Sequence, residues 1–495
     1  MTSSAVPNRA TASGVAAYVR EHAWPLTIWG AMACWTTVLF AIVRDGYEEF
    51  RVGRFDLGNM VQAVWSTAAG RPLETTGGMN GEQMIRLGSH VDPFLVLLTP
   101  AWLVWPSPLV LGLAQIAFVS LGALPVYWLG RRHLESERAA GLLALGYLAY
   151  PWVAVTAVAS IHPVTFAITL LLFGVWFLDS DWLVPFALCA VLAMTTGELI
   201  GVTVAALGAW YALARGRKLP GLAIAAAGIA WSFVAISVVV PAFLDDHSVY
   251  FGFYDQVGGS PAGVVKTAFT DPTAILSALT EAQDLSYVLW LGVPLLFLFV
   301  LSPALAAVAL PQLLANGLSD FRLMSDPRYH GIAAIVPFLV AATVFGIKRL
   351  RPSRRVPAAA AVLVTSAMLA LVVGPWPRAL GQTPLGGRDS VPAARVDALT
   401  RAVALVPDDA PVSASNTAGA HLSARRYVYS VPVLGRATWV VVDRDDPWVV
   451  SEDSPILTNH PEVVNAFAAR LGADPSWTKV FDSAGVVVFR KDAAL

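Results

Sequence analysis

Long apolar runs separated by short polar stretches dominate the first 375 or so positions, and the pattern then changes. Runs of roughly the length that crosses a hydrocarbon core lie near 25–43, 108–130, 139–157, 164–180, 183–198, 199–215, 221–243, 287–301, 303–318, 331–347 and 357–375. They predict an all-α polytopic membrane domain with about eleven transmembrane helices. The first run is too long for the apolar core of a signal peptide and lacks a small-residue cleavage site, so it reads as a first span. The stretch 94–105 is too short to span and ends in Trp-Pro-Ser-Pro at 105–108. It predicts an interfacial helix anchored by Trp102 and Trp105.

Beyond about position 390 the apolar residues recur at helical and strand periods. Val396, Leu399 and Val403 fit one helix, and Val464, Phe467 and Leu471 another. Strands are expected at 412–415, 426–431, 439–443 and 486–489, which together predict a small α/β domain. It carries neither a Gly-rich phosphate loop nor a nucleophile elbow.

Charge sets the orientation. Arg131, Arg132 and Arg138, then Arg215, Arg217 and Lys218, then Lys348, Arg349, Arg351, Arg354 and Arg355, form three basic clusters. All three fall inside if the chain starts inside with Arg9 and Arg20 and crosses eleven times. The division expected is a cytoplasmic segment 1–24, a transmembrane domain 25–375 with long outer loops 44–107 and 244–286, and an extracytoplasmic α/β domain 376–495. Within the first loop Leu57, Met60, Val61, Val64 and Trp65 share one helical face.

Composition agrees. Of 495 residues 56% are hydrophobic and 14% charged, against about 25% charged in a soluble domain. The net charge of −1 argues against a nucleic-acid partner. Cys34 and Cys189 lie inside apolar runs and are poor disulfide candidates.

Ionisable groups near a bilayer core are costly and tend to be functional. Five outer segments carry them: Arg54 and Asp56; His90 and Asp92; His162; Glu198; and Asp326, Arg328, Tyr329 and His330. Each also has a plain structural role open to it. Asp56 could cap the helix that holds Trp65, His90 and Asp92 could pair with each other, His162 before Pro163 could end a helix, and Arg328 and His330 could be interface anchors. His90, Asp92, His162, Glu198 and His330 could instead hold a divalent metal, although no HExxH-like spacing supports one.

With these residues placed, the chain resembles a bacterial membrane-protein family designated a domain of unknown function, serial number 2079. The resemblance rests on RFDLGNMVQAVW (54–65), GSHVDP (88–93), PSPLVLGLAQIAFVSLGALPVY (106–127), Tyr329-His330 ahead of Pro-Phe-Leu at 337–339, Ala-Ser-Asn at 414–416 and HLSARR at 421–426. That family in turn looks like the GT-C superfamily of integral membrane glycosyltransferases, which use polyprenyl-phosphate sugars. The resemblance implies an inverting transfer from such a donor to a cell-envelope glycan, lipid or protein on the outer face of a bacterial cell membrane. It places the catalytic base at Asp56; around it, Arg54, Asn59, Gln62, His90, Asp92, His162, Glu198, Arg328, Tyr329 and His330 are the expected substrate contacts, by their residue type and their place on the outer side. A transporter or flippase for a lipid-linked precursor, or a non-catalytic envelope scaffold, is the competing expectation.

Overall fold

The structure, a computed structural model, describes residues 22–77, 81–244, 249–380, 391–446, 448–451 and 454–492. The expected segment 1–24, apart from its last three residues, lies outside these, as do Arg9 and Arg20.

Ala23–Glu48, Pro108–Leu134, Lys218–Leu244 and Pro352–Val373 are each long and apolar enough to cross a membrane, and Glu137–Ala149 with Pro151–Val158 does so as a pair bent by 44°. The bend has a local cause. Pro151 lacks an N–H and drives the residue before it out of the helical region, and Tyr150 accordingly has ψ 117°. Pro163–Asp179, Leu183–Met194, Ile200–Ala214 and Val336–Lys348 are apolar but shorter.

Two expected spans are not continuous helices. The run 287–301 breaks after Ala282–Gly292 into the 3₁₀ turns Val293–Leu295 and Leu298–Leu301, and 303–318 divides into Pro303–Ala306, Ala307–Ala309 and Leu310–Gly317. Prolines 294, 303 and 311 remove helix donors, and Leu296 and Phe297 are left-handed at φ 52° and 53°. The eleven apolar runs therefore become four long helices, one bent pair, four shorter helices and two broken segments among the described residues.

Pro352–Val373 shows how the spans face two media. Ala359, Val362, Ser366, Ala370 and Val373 are buried, while Val364, Met368 and Leu371 form an exposed apolar stripe suited to lipid. Ile200–Ala214 and Lys218–Val234 pack most closely where glycines face each other: a methyl on Gly201 would strike the Gly228 carbonyl. At 94–105 the chain forms a 3₁₀ turn, Pro93–Leu98, and a short helix, Thr99–Val104. Leu97, Leu103 and Val104 face outward, but Trp102, expected as an interface anchor, is buried in the core, and Trp105 packs edge-on against Phe40.

The three basic clusters meet at one end of the bundle. Asp179, fully buried, takes Arg132 at 3.3 Å, Arg215 at 3.3 Å and His133 at 2.9 Å. Lys348 donates to the other nitrogen of His133 at 3.1 Å, and Arg355 reaches Glu135 at 3.2 Å. Asp179 ends a helix of 17 residues that starts just after His162, so the basic end and His162 are about 26 Å apart at 1.5 Å per residue.

The C-terminal region holds a five-stranded mixed sheet in spatial order Val428–Ser430, Val412–Ala414, Trp439–Asp443, Val486–Lys491, Trp477–Ser483. The first three strands are parallel and the last two pairings antiparallel. Side chains alternate across it. Val441, Val486 and Val488 pack with Leu399 and Ala402 of Ala393–Ala404, and Val440, Val442, Val487 and Phe489 pack with Val464, Phe467 and Leu471 of Pro461–Ala473. Phe50, just beyond the first membrane helix, is buried in the first of these layers.

Candidate functional site

The first long loop is built around Asp56. Gly53 is extended, and Arg54–Gly58 forms one turn of π-helix that runs into the α-helix Asn59–Ala68. Leu57, Met60, Val61 and Val64 bury the apolar face of this element, as their spacing requires. Asp56 points the other way, with 57% of its side chain exposed. It does not cap the helix, whose first turn has no side-chain cap.

That exposure is to a cavity of about 2300 Å³, whose walls include Asp56, Asn59, His90, Asp92, His162, Glu198, Arg328, Tyr329 and His330. The side chains come from loops at the end of the bundle remote from Asp179. Apolar residues continue the walls between the helices, with Ile42, Val43, Leu109, Val155 and Val158 in one group and Ile200, Ile236, Val240 and Phe243 in another.

His162 is held by what precedes its helix. Its N–H donates to Gln115 at 3.1 Å, and its Nδ1 donates to the Ser160 carbonyl at 2.7 Å. Nε2 is thereby turned toward Asp56, 3.7 Å from Oδ1. This is longer than a hydrogen bond and leaves room for the contact to tighten around a substrate. The ring stacks on His330, centroids 3.8 Å apart, and Tyr329 lies against His330 at 3.9 Å. Glu198 sits at the break between Leu183–Met194 and Ile200–Ala214, accepts from the Val91 N–H at 3.2 Å and meets His90 at 3.4 Å. Asn59 donates to the Phe55 carbonyl at 3.0 Å. Arg328 pairs with Asp326 at 2.6 Å.

Three expected contacts lie elsewhere or are engaged. Arg54, expected at the substrate, is fully buried and bonds Ser430 and the carbonyls of Thr76 and Val428, away from the cavity. Gln62 is buried against Thr76 and the carbonyls of Arg425 and Arg426. Asp92 is paired not with His90 but with Arg86, at 2.6 Å, with both side chains nearly buried. Among the described residues no three His, Cys, Asp or Glu side chains are grouped so as to hold a metal ion. The candidates stand instead as the pairs His90–Glu198 and His162–Asp56.

The cavity also has walls that the residue patterns did not single out: Arg86, Arg378, Asn416 and Trp448. Asn416 had appeared in a segment of family resemblance. For Arg86 and Arg378 nothing in the local sequence distinguishes them from other interfacial arginines.

Comparison with known structures places the fold. The chain is similar to ArnT from Cupriavidus metallidurans in the apo state, with 14% identity and a TM-score of 0.50 over 92% of this chain and 98% of that one. At that identity the likeness is one of fold alone. No curated protein matches the chain. The family described as "Predicted membrane protein (DUF2079)" matches residues 47–488, nearly the whole chain, and the protein belongs to that family.

Proposed function

We propose that the protein is an inverting glycosyltransferase of the GT-C type, moving a sugar from a polyprenyl-phosphate carrier to a cell-envelope acceptor. The observation that carries this reading is the meeting of Asp56, His162 and His330, from three distant segments, in one large cavity whose walls run on into apolar surface. Drug-sized pockets occupy roughly 300–1,000 Å³. The larger volume here suits a sugar phosphate, the first prenyl units and an acceptor together.

In this reading the Asp56 carboxylate removes the proton from an acceptor hydroxyl, and His162 beside it orients a sugar hydroxyl through Nε2. The acceptor oxygen forms its bond to the anomeric carbon from the face opposite the phosphate. The bond to the phosphate oxygen breaks, and its electron pair leaves with the lipid phosphate. Charge building on that phosphate is met by Arg328 and His330, and by Arg86 and Arg378 in place of Arg54. Glu198, His90, Tyr329 and Asn59 bind sugar hydroxyls, and Asp92 holds Arg86. The cavity faces outward and the Asp179 end inward, in a bacterial cell membrane crossed about eleven times with the N-terminus cytoplasmic. The ion pairs on Asp179 tie that end together, which fits a one-sided enzyme better than a transporter open alternately to both sides.

The test is a structure of the full chain in lipid nanodiscs with a polyprenyl phosphate added. Phosphate density within reach of Asp56 and Arg328 is expected. Density confined to the lipid-facing surface would overturn the reading.

A further inference from the structure

A π-helical turn carries one residue more than an α-helical path needs, and such turns recur where function holds them in place. Here the turn Arg54–Gly58 contains Asp56, and what holds it comes from the C-terminal domain. The Arg54 guanidinium reaches that domain: Nη1 donates to Ser430 Oγ at 2.7 Å and Nη2 to the Val428 carbonyl at 2.7 Å, while the Thr76 carbonyl of the first loop also accepts from Nη2 at 3.0 Å. No carboxylate pairs with it among the described residues, and burial alone lowers its pKa to about 10. Such a charge is costly to bury, so mere docking of two domains is a poor reason to place it there. The Phe55 N–H donates to Asn416 Oδ1 at 3.1 Å. Gly53 lies so close beneath the Asn416 amide that any side chain would strike it, and Gly58 meets Ser423 Oγ in the same way.

We infer that the C-terminal domain is the template that sets the position of the Asp56 carboxylate, with Arg54 and Asn416 as positioning residues. This rests on Asp56 being the base. The residues on both sides of Asp56 are gripped by the segment 416–430, while the Asp56 carboxylate stays in the cavity. Tertiary contact thus sets the approach of Asp56 to His162.

The experiment uses the full chain in nanodiscs and compares Asn416→Leu with Asn416→Asp, which keeps an acceptor for the Phe55 N–H. Two readouts are taken: hydrogen exchange of the peptide 53–60, and release of polyprenyl phosphate from a panel of polyprenyl-phosphoryl hexoses and pentoses. Asn416→Leu is expected to speed exchange at 53–60 about tenfold while 163–179 is unchanged. It should lower kcat by about 10²-fold, the cost of a roughly 1 Å misplacement, and leave the donor KM unchanged. Asn416→Asp should resemble the wild type in both. Unchanged exchange in Asn416→Leu, or an equal loss in both variants, overturns the template. Faster exchange in Asn416→Leu beside full turnover in Asp56→Asn supports the grip on this turn and overturns the base assignment alone.

Discussion

His162 presents Nε2 to Asp56 at 3.7 Å because its other ring nitrogen is committed to the Ser160 carbonyl at 2.7 Å. The two residues sit on separate segments, one preceding a membrane helix and one within a π-helical turn, and each is held by contacts of its own. A carboxylate exposed to a cavity and faced by a fixed imidazole is suited to accept a proton.

Asp56→Asn keeps the shape and removes the base. Turnover of a polyprenyl-phosphoryl sugar should fall about 10²–10⁴-fold while binding of the donor, measured by titration with polyprenyl phosphate, stays near wild type. Full turnover in this variant would remove Asp56 from the chemistry.

Acid should loosen the joint between the membrane and C-terminal domains. His421 stacks on Tyr47 and Phe50 with centroids 4.0 Å from each and contacts the Tyr47 carbonyl through Nε2 at 3.0 Å. Burial lowers its pKa from 6.5 to about 4. Above pH 6.5 neither the folded nor the unfolded form is charged at this site. Between 6.5 and 4 the unfolded form takes a proton that the folded form refuses, so stability drops as pH falls through that window. The loss should approach about 3 kcal/mol by its lower end. Thermal unfolding at pH 7.5 and 4.5 measures it, and His421→Phe should flatten the slope. An identical slope in His421→Phe would assign the acid sensitivity to other groups.

The Arg86–Asp92 pair should also carry stability, besides placing Arg86 in the cavity wall. Both side chains are nearly buried and Arg86 donates through Nε and Nη2. Asp92→Ala leaves a buried cation uncompensated and should cost about 3–5 kcal/mol, read as a drop in Tm in nanodiscs. Arg86→Met with Asp92→Leu should recover most of that loss. An unchanged Tm in Asp92→Ala would show that the pair contributes nothing to stability.

Opposite faces should label separately. In a background with Cys34 and Cys189 replaced by Ser, Arg351→Cys should react with a membrane-impermeant maleimide only after the cytoplasmic side is opened. Thr478→Cys should react in intact cells. Labelling of both from the same side would refute the inside-start arrangement.

The length of the apolar runs by itself determined where apolar helical structure lies, four of the runs as helices long enough to cross a membrane and one as a bent pair, because lipid forces a backbone to satisfy its own hydrogen bonds. Every apolar run became helical structure, and prolines 294, 303 and 311 mark where two runs break. The alternation at 439–443 and the helical spacing of Val464, Phe467 and Leu471 likewise appear as drawn. The strand Trp477–Ser483 was not legible, since several of its residues are exposed on an edge and carry no alternating apolar signal. The candidate site divides in the same way. Residue type was enough to bring Asp56, His162, Glu198 and His330 forward, because ionisable groups beside a bilayer are rarely idle. Which of the neighbouring groups face the cavity, and which are spent on structure, only the tertiary fold decided. Arg54 and Gln62 turned into the C-terminal domain, and Asp92 turned to Arg86. The Arg54 and Gln62 choices depend on partners hundreds of residues away, such as Ser430 and Arg426, and a buried polar group takes whichever partner the completed packing brings within reach.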